Sequence, residues 1–95
     1  MTGLDPDNWD DLRRLGHRMI DDMVDRLATL RDGPVWRPMP DAVRAALHEP
    51  LPTGPTAPEK LYEHFRERIV PYATGNTHPG FMGWVHGGGT GVGML

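Results

Sequence analysis

The chain has 95 residues and a formal net charge of −3, from 13 acidic and 10 basic residues, which is enough for one small domain. An acidic balance without a basic run argues against a nucleic-acid-binding protein, because such proteins are usually strongly basic. Cysteine and serine are both absent, which excludes disulfides, thiolate zinc sites and Ser or Cys nucleophiles. Since no apolar segment is long enough to span a membrane and the first residues do not resemble a signal peptide, we expect a soluble cytoplasmic protein.

The first predicted element is an amphipathic helix over about residues 7–31. Its apolar residues recur three or four positions apart, at Trp9, Leu12, Leu15, Met19, Ile20, Met23, Val24, Leu27 and Leu30. Asp5 or Asp7 is expected to cap its amino end, and Gly33 to end it in a left-handed turn before Pro34. At 1.5 Å per residue it would span roughly 37 Å, more than the roughly 32 Å diameter of a compact 95-residue globule. We therefore expect another chain, or further sequence, to cover part of its apolar stripe.

Two shorter helices are predicted after a proline-rich connector over residues 35–40. One covers about residues 41–48 and is capped by Asp41. The other covers about residues 57–70, with Thr56 and Glu59 forming a capping box and Pro71 ending the helix. The pattern thus predicts a mainly α protein with a helical arm over residues 1–71.

Residues 72–95 carry no charge and are rich in glycine. The segment reads as a loop followed by the truncated start of another helix, with Thr90 as its cap. Its glycines fit neither a Walker loop, which needs Lys where Met94 stands, nor a dinucleotide fingerprint, which needs a small residue where Val92 stands. His78 and His86 could bind or stack on a ligand, or could stabilise turns, which we favour.

No catalytic or metal-binding set is predicted in this chain. His17, His48 and His64 belong to three different helices, and no histidine pair has the spacing of a helical zinc site. The single lysine, Lys60, is expected at the surface of the third helix, without the desolvated site that a Schiff-base lysine needs. Pairs of acidic residues such as Asp21 and Asp25 are expected to be solvated.

The order of these segments is similar to a known family. Residues 12–21, the proline-rich connector, the helices at 41–47 and 61–71 and the segment Thr77-His78-Pro79-Gly80-Phe81-Met82-Gly83-Trp84 together resemble the amino-terminal portion of the pyridoxal-phosphate-dependent group II amino-acid decarboxylases, the aromatic-amino-acid decarboxylase family. The resemblance covers nearly the whole chain but a minor part of such an enzyme. It implies an incomplete fold-type-I enzyme, in which the helical arm clasps a second subunit and the α/β cofactor domain is missing.

The same resemblance implies a substrate-pocket rim in the glycine-rich loop. Trp84 matches a pocket-lining aromatic residue, followed by Val85, His86 and Gly87. The last two stand where members with aromatic substrates tend to carry proline and a hydroxyl residue, so an aromatic substrate is not implied. The lysine, aspartate, imidazole and phosphate-binding residues that hold pyridoxal phosphate in the family lie downstream of the matched region.

Two functions remain open at this stage. In the first, the chain is an amino-terminal fragment or split subunit of a pyridoxal-phosphate-dependent decarboxylase. It would supply dimer contacts and a substrate rim, and would act on an amino acid only with the remainder of the enzyme. In the second, it is a non-catalytic helical interaction or dimerisation module.

Overall fold

The computed structural model describes residues 3–73, 75, 77–82 and 90–94. All regular elements in this part of the chain are helical and none is a strand, so the prediction of a mainly α protein is confirmed. The α-helices are α1 (Trp9–Thr29), α2 (Asp41–Ala46), α3 (Pro58–Arg68) and α4 (Gly91–Met94). Short 3-10 turns follow α1 at Leu30–Asp32 and α3 at Val70–Tyr72.

The amino end of α1 is capped by Asn8, and not by Asp5 or Asp7 as predicted. Asn8 has extended backbone angles, and its side-chain oxygen accepts a hydrogen bond of 2.9 Å from the backbone N–H of Asp10. This bond satisfies one of the backbone donors that the first turn leaves unpaired. Asp10 and Asp11 then lie in the first turn, where the helix dipole favours negative charge.

The carboxyl end of α1 also differs from the prediction. Gly33 has φ −107° and ψ 177°, which is extended and not left-handed, because the residue before a proline is driven out of the helical region. The helix has 21 residues and is therefore about 32 Å long, the same as the diameter of a compact globule of this size. Length alone therefore gives no reason to expect another chain on α1, and that argument must rest on exposure.

The two shorter helices begin without the predicted side-chain caps. Pro40 precedes α2, so Asp41 lies inside the first turn, and the helix ends at Ala46. Ala57 precedes α3 with no side-chain cap, because Pro58 at the first helical position has no N–H to satisfy and a preset φ. The expected capping box of Thr56 and Glu59 is therefore wrong.

The chain divides into two compact units, residues 1–33 with 86–95, and residues 34–85. This division differs from the expected boundary at residue 71. Among the described apolar residues, Leu15 is buried in the first unit and Tyr62 in the second, at 8% and 5% exposure. Each unit therefore has very little core of its own within the described residues.

The second unit is held by contacts between distant residues. Arg68 of α3 forms an ion pair of 3.1 Å with Glu49, and the guanidinium of Arg66 lies 5.9 Å from the centre of the Tyr62 ring. The backbone of Gly75 is buried against Val35, so closely that an added Cβ would lie 1.5 Å from the Val35 carbonyl oxygen. The connector and the loop after α3 are thus packed together.

Candidate interaction surface

The first unit exposes a continuous apolar surface along α1, which we call the α1 face. Its members are all classed as exposed: Trp9, Leu12, Met19, Ile20, Val24 and Leu27. Ile20 and Val24 keep 51% and 50% of their surface in contact with solvent. Single exposed apolar residues are ordinary, but contiguous apolar patches mark interaction sites.

The carboxyl-terminal half of the α1 face forms one wall of a groove of about 660 Å³. This wall consists of Met19, Ile20, Met23, Val24, Leu27 and Ala28, and Gly91 and Val92 of α4 lie on the other side. A Cβ added to Gly91 would be 4.0 Å from Cδ1 of Leu27, an ordinary van der Waals distance. Glycine at this position therefore lets the short α4 approach α1 without closing the groove.

The start of α4 confirms the predicted cap. The Thr90 hydroxyl accepts a hydrogen bond of 3.1 Å from the backbone N–H of Gly93. The bond joins the cap residue to the third residue of the helix, as in ordinary amino-terminal capping.

The charges beside the α1 face are segregated along the helix. Residues 13–18 contain three arginines and no acidic residue, whereas residues 21–25 contain three aspartates and no basic residue. We call these segments the arginine block and the aspartate block. The arginines form ion pairs within α1, Arg13 with Asp10 at 2.9 Å, Arg14 with Asp11, and Arg18 with Asp22 at 3.8 Å.

Two members of the aspartate block have no such neighbour. The carboxylates of Asp21 and Asp25 form no ion pair with any residue that the structure describes. Both residues are exposed and lie one helical turn apart, where like charges repel weakly. This side of the groove therefore carries negative charge available to an incoming cation.

The second unit has a smaller apolar surface on α3. Leu61, Phe65 and Ile69 recur at four-residue spacing and all are exposed, whereas Tyr62 beside them is buried. The periodicity that predicted the helix correctly placed these residues on one face. Burial of that face within the described part of the unit was not observed.

The predicted substrate rim cannot be placed by the structure. Trp84, Val85, His86 and Gly87 all lie outside the described residues. The described turn before them confirms the structural role expected for His78, whose Nδ1 accepts a hydrogen bond of 2.9 Å from the Gly80 N–H. The backbone N–H of His78 donates to the Gly75 carbonyl oxygen at 2.9 Å, and its carbonyl accepts from Phe81 at 3.0 Å.

The described residues do not fit pyridoxal phosphate as a bound group. The amine that would form a Schiff base could only be Lys60, which is exposed in the first turn of α3 next to Glu59. Neither burial nor a neighbouring cation activates this amine. No three His, Asp or Glu side chains in the described part of the chain come close enough together to hold a metal ion.

Three structural features were missed in the sequence. Asn8 stood in a run of residues that can all cap a helix, and its own side chain was the signal. The approach of Gly75 to Val35 and that of α4 to α1 join residues far apart in the sequence, and local spacing carries no signal for either.

The comparisons with known proteins identify no relative. No protein-family model matches the chain, and neither a curated protein nor a solved structure matches it significantly. Among the described residues, no helix combines the length and apolar character needed to span a membrane.

Proposed function

We propose that the chain is the amino-terminal helical part of a pyridoxal-phosphate-dependent amino-acid decarboxylase, working as a fragment or split subunit. Its role is to contact a second subunit and to contribute a rim to the substrate pocket. The observation that supports this role is the exposed α1 face, with its open groove. The resemblance of residues 12–21 and 77–84 to the group II decarboxylases supports the choice of enzyme.

In this proposal the chain performs no chemical step by itself. When bound to the remainder of the enzyme, pyridoxal phosphate supplies the electron sink for decarboxylation. The present chain contributes apolar contact through α1 and substrate contact through Trp84, Val85, His86 and Gly87. The exposed position of Lys60 is consistent with a cofactor lysine supplied by another polypeptide segment.

Reconstitution tests this function. The chain is coexpressed with the polypeptide encoded directly downstream, and the complex is assayed for bound pyridoxal phosphate and for release of CO₂ from each of the common amino acids. Activity that needs both polypeptides supports the proposal. Downstream sequence without a cofactor-binding lysine, or a complete downstream enzyme that is equally active without this chain, would refute it.

The alternative is a non-catalytic helical interaction or dimerisation module. The specific observation in its favour is that both units expose an apolar helical face, at Ile20 and Val24 of α1 and at Phe65 of α3. A module of this kind needs a binding surface and no reacting group. A helical complex with a partner that binds no pyridoxal phosphate would favour it over the decarboxylase.

A further inference from the structure

We propose that the α1 face binds the α1 face of a second copy of this chain in antiparallel orientation, and that the arginine and aspartate blocks select that orientation. The proposal rests on the proposed function only in taking the α1 face as a protein contact. It goes further by naming the partner segment and the residues that determine specificity.

The order of the two blocks distinguishes the possible orientations. In a parallel pair of α1 helices in register, each arginine block lies against the other arginine block, and each aspartate block against the other aspartate block. In an antiparallel pair centred between Met19 and Ile20, each arginine block lies against an aspartate block. Unlike charges across a helix pair favour that arrangement, and like charges disfavour the alternative.

The spacing within the blocks agrees with the antiparallel arrangement. Arg14 and Arg18 are four residues apart, and so are Asp21 and Asp25, so each pair lies on one side of the helix. The register centred between residues 19 and 20 brings Arg14 opposite Asp25 of the second copy, and Arg18 opposite Asp21. By symmetry each contact occurs twice, which gives four charge pairs.

The same register brings complementary apolar residues together. Leu12 comes opposite Leu27 of the second copy, and Gly16 opposite Met23. A Cβ added to Gly16 would meet no atom within 4 Å, so this position leaves space on the helix for the flexible methionine side chain of the other copy. The second copy thereby covers the wall of the groove formed by Met23 and Leu27.

Sedimentation equilibrium of the 95-residue chain and its charge variants tests the proposal. The wild-type chain is expected to dimerise. The variant Asp21→Arg with Asp25→Arg turns four attractive contacts into repulsive ones, so we expect its dimer dissociation constant to rise roughly 100-fold. Glu59→Arg with Glu67→Arg is the matched control, because it changes the net charge equally on α3 and should leave the dissociation constant unchanged.

A fourfold variant tests orientation. Arg14→Asp, Arg18→Asp, Asp21→Arg and Asp25→Arg together exchange the charges of the two blocks. If α1 pairs antiparallel, this variant dimerises like the wild type but does not mix with it. A parallel pair gives the opposite result, because the exchanged chain then repels itself and binds the wild type.

The proposal is overturned by a wild-type chain that stays monomeric, by an unchanged dissociation constant in the doubly reversed variant, or by mixing of the fourfold variant with the wild type. Circular dichroism verifies that each variant retains its helix content, since all the altered residues are on the surface. The reconstitution assay distinguishes this failure from failure of the proposed function. Decarboxylase activity could be restored by a chain that is monomeric by itself.

Discussion

Substitution of Gly75 by alanine should disrupt the second unit, because the chain has no space for a single methyl group there. The added Cβ would lie 1.5 Å from the carbonyl oxygen and 2.6 Å from the carbonyl carbon of Val35. Both atoms belong to the backbone, so a rotamer change cannot relieve the clash. The loop after α3 must separate from the connector instead.

The expected cost follows from that separation. Restoring an ordinary contact distance of about 3.4 Å requires a movement of roughly 2 Å. Overpacking of a rigid site typically costs about 1–3 kcal/mol, and a clash with backbone belongs at or above the top of that range. We expect Gly75→Ala to lower the free energy of unfolding by about 2–4 kcal/mol, a large part of the stability of a small domain.

Urea unfolding followed by circular dichroism measures this loss, and two other glycines calibrate it. At Gly80 the added Cβ would lie 3.0 Å from Cγ2 of Val35, a side-chain atom, so Gly80→Ala should cost about 1 kcal/mol or less. At Gly54 nothing lies within 4 Å, so Gly54→Ala should be neutral or slightly stabilising. Equal stability of Gly75→Ala and Gly54→Ala would refute the close packing of Gly75 on Val35.

Three further changes test the cap, the ion pair and the rim. Asn8→Ala should lower the free energy of unfolding by about 1 kcal/mol through loss of the cap, measured by thermal circular dichroism, whereas Asp7→Ala should have little effect. Arg68→Ala should cost at most about 1 kcal/mol, because its partner Glu49 is largely exposed, and high salt should reduce the difference from wild type in urea unfolding. In the reconstituted decarboxylase, Trp84→Ala should reduce kcat/KM for the amino-acid substrate by about 1–3 kcal/mol in activation free energy. Unchanged kinetics would remove Trp84 from the substrate pocket.

Apolar periodicity was enough to predict the presence of α1, α2 and α3, because core-facing residues must recur with the helical repeat. The ends of these helices were harder, because several side chains near each end can satisfy the same backbone donors. Asp5, Asp7 and Asn8 all compete to cap α1. At α3 the preset backbone of Pro58 decides the start and leaves Thr56 one residue outside the cap position.

The candidate surface was predictable only in part, for a different physical reason. The stripe on α1 is a local pattern, so the sequence places Ile20, Val24 and Leu27 on one face. That α4 approaches this face without covering it depends on a contact between Leu27 and Gly91, more than 60 residues apart. The free energy of such a contact arises in the folded chain and leaves no periodic signal.

The stability of α1 and the binding of a partner are expected to be coupled. The Asn8 cap contributes about 1 kcal/mol and each exposed ion pair a few tenths of a kcal/mol, and an isolated helix of this length is marginal in water. Ile20 and Val24 each keep about half of their surface exposed, so covering them would stabilise the folded state by roughly 1 kcal/mol per side chain. Covering the remaining members of the α1 face would add several kcal/mol, which exceeds the local contributions. Any polypeptide that binds this face therefore stabilises the helix, because binding to the folded state alone shifts the folding equilibrium.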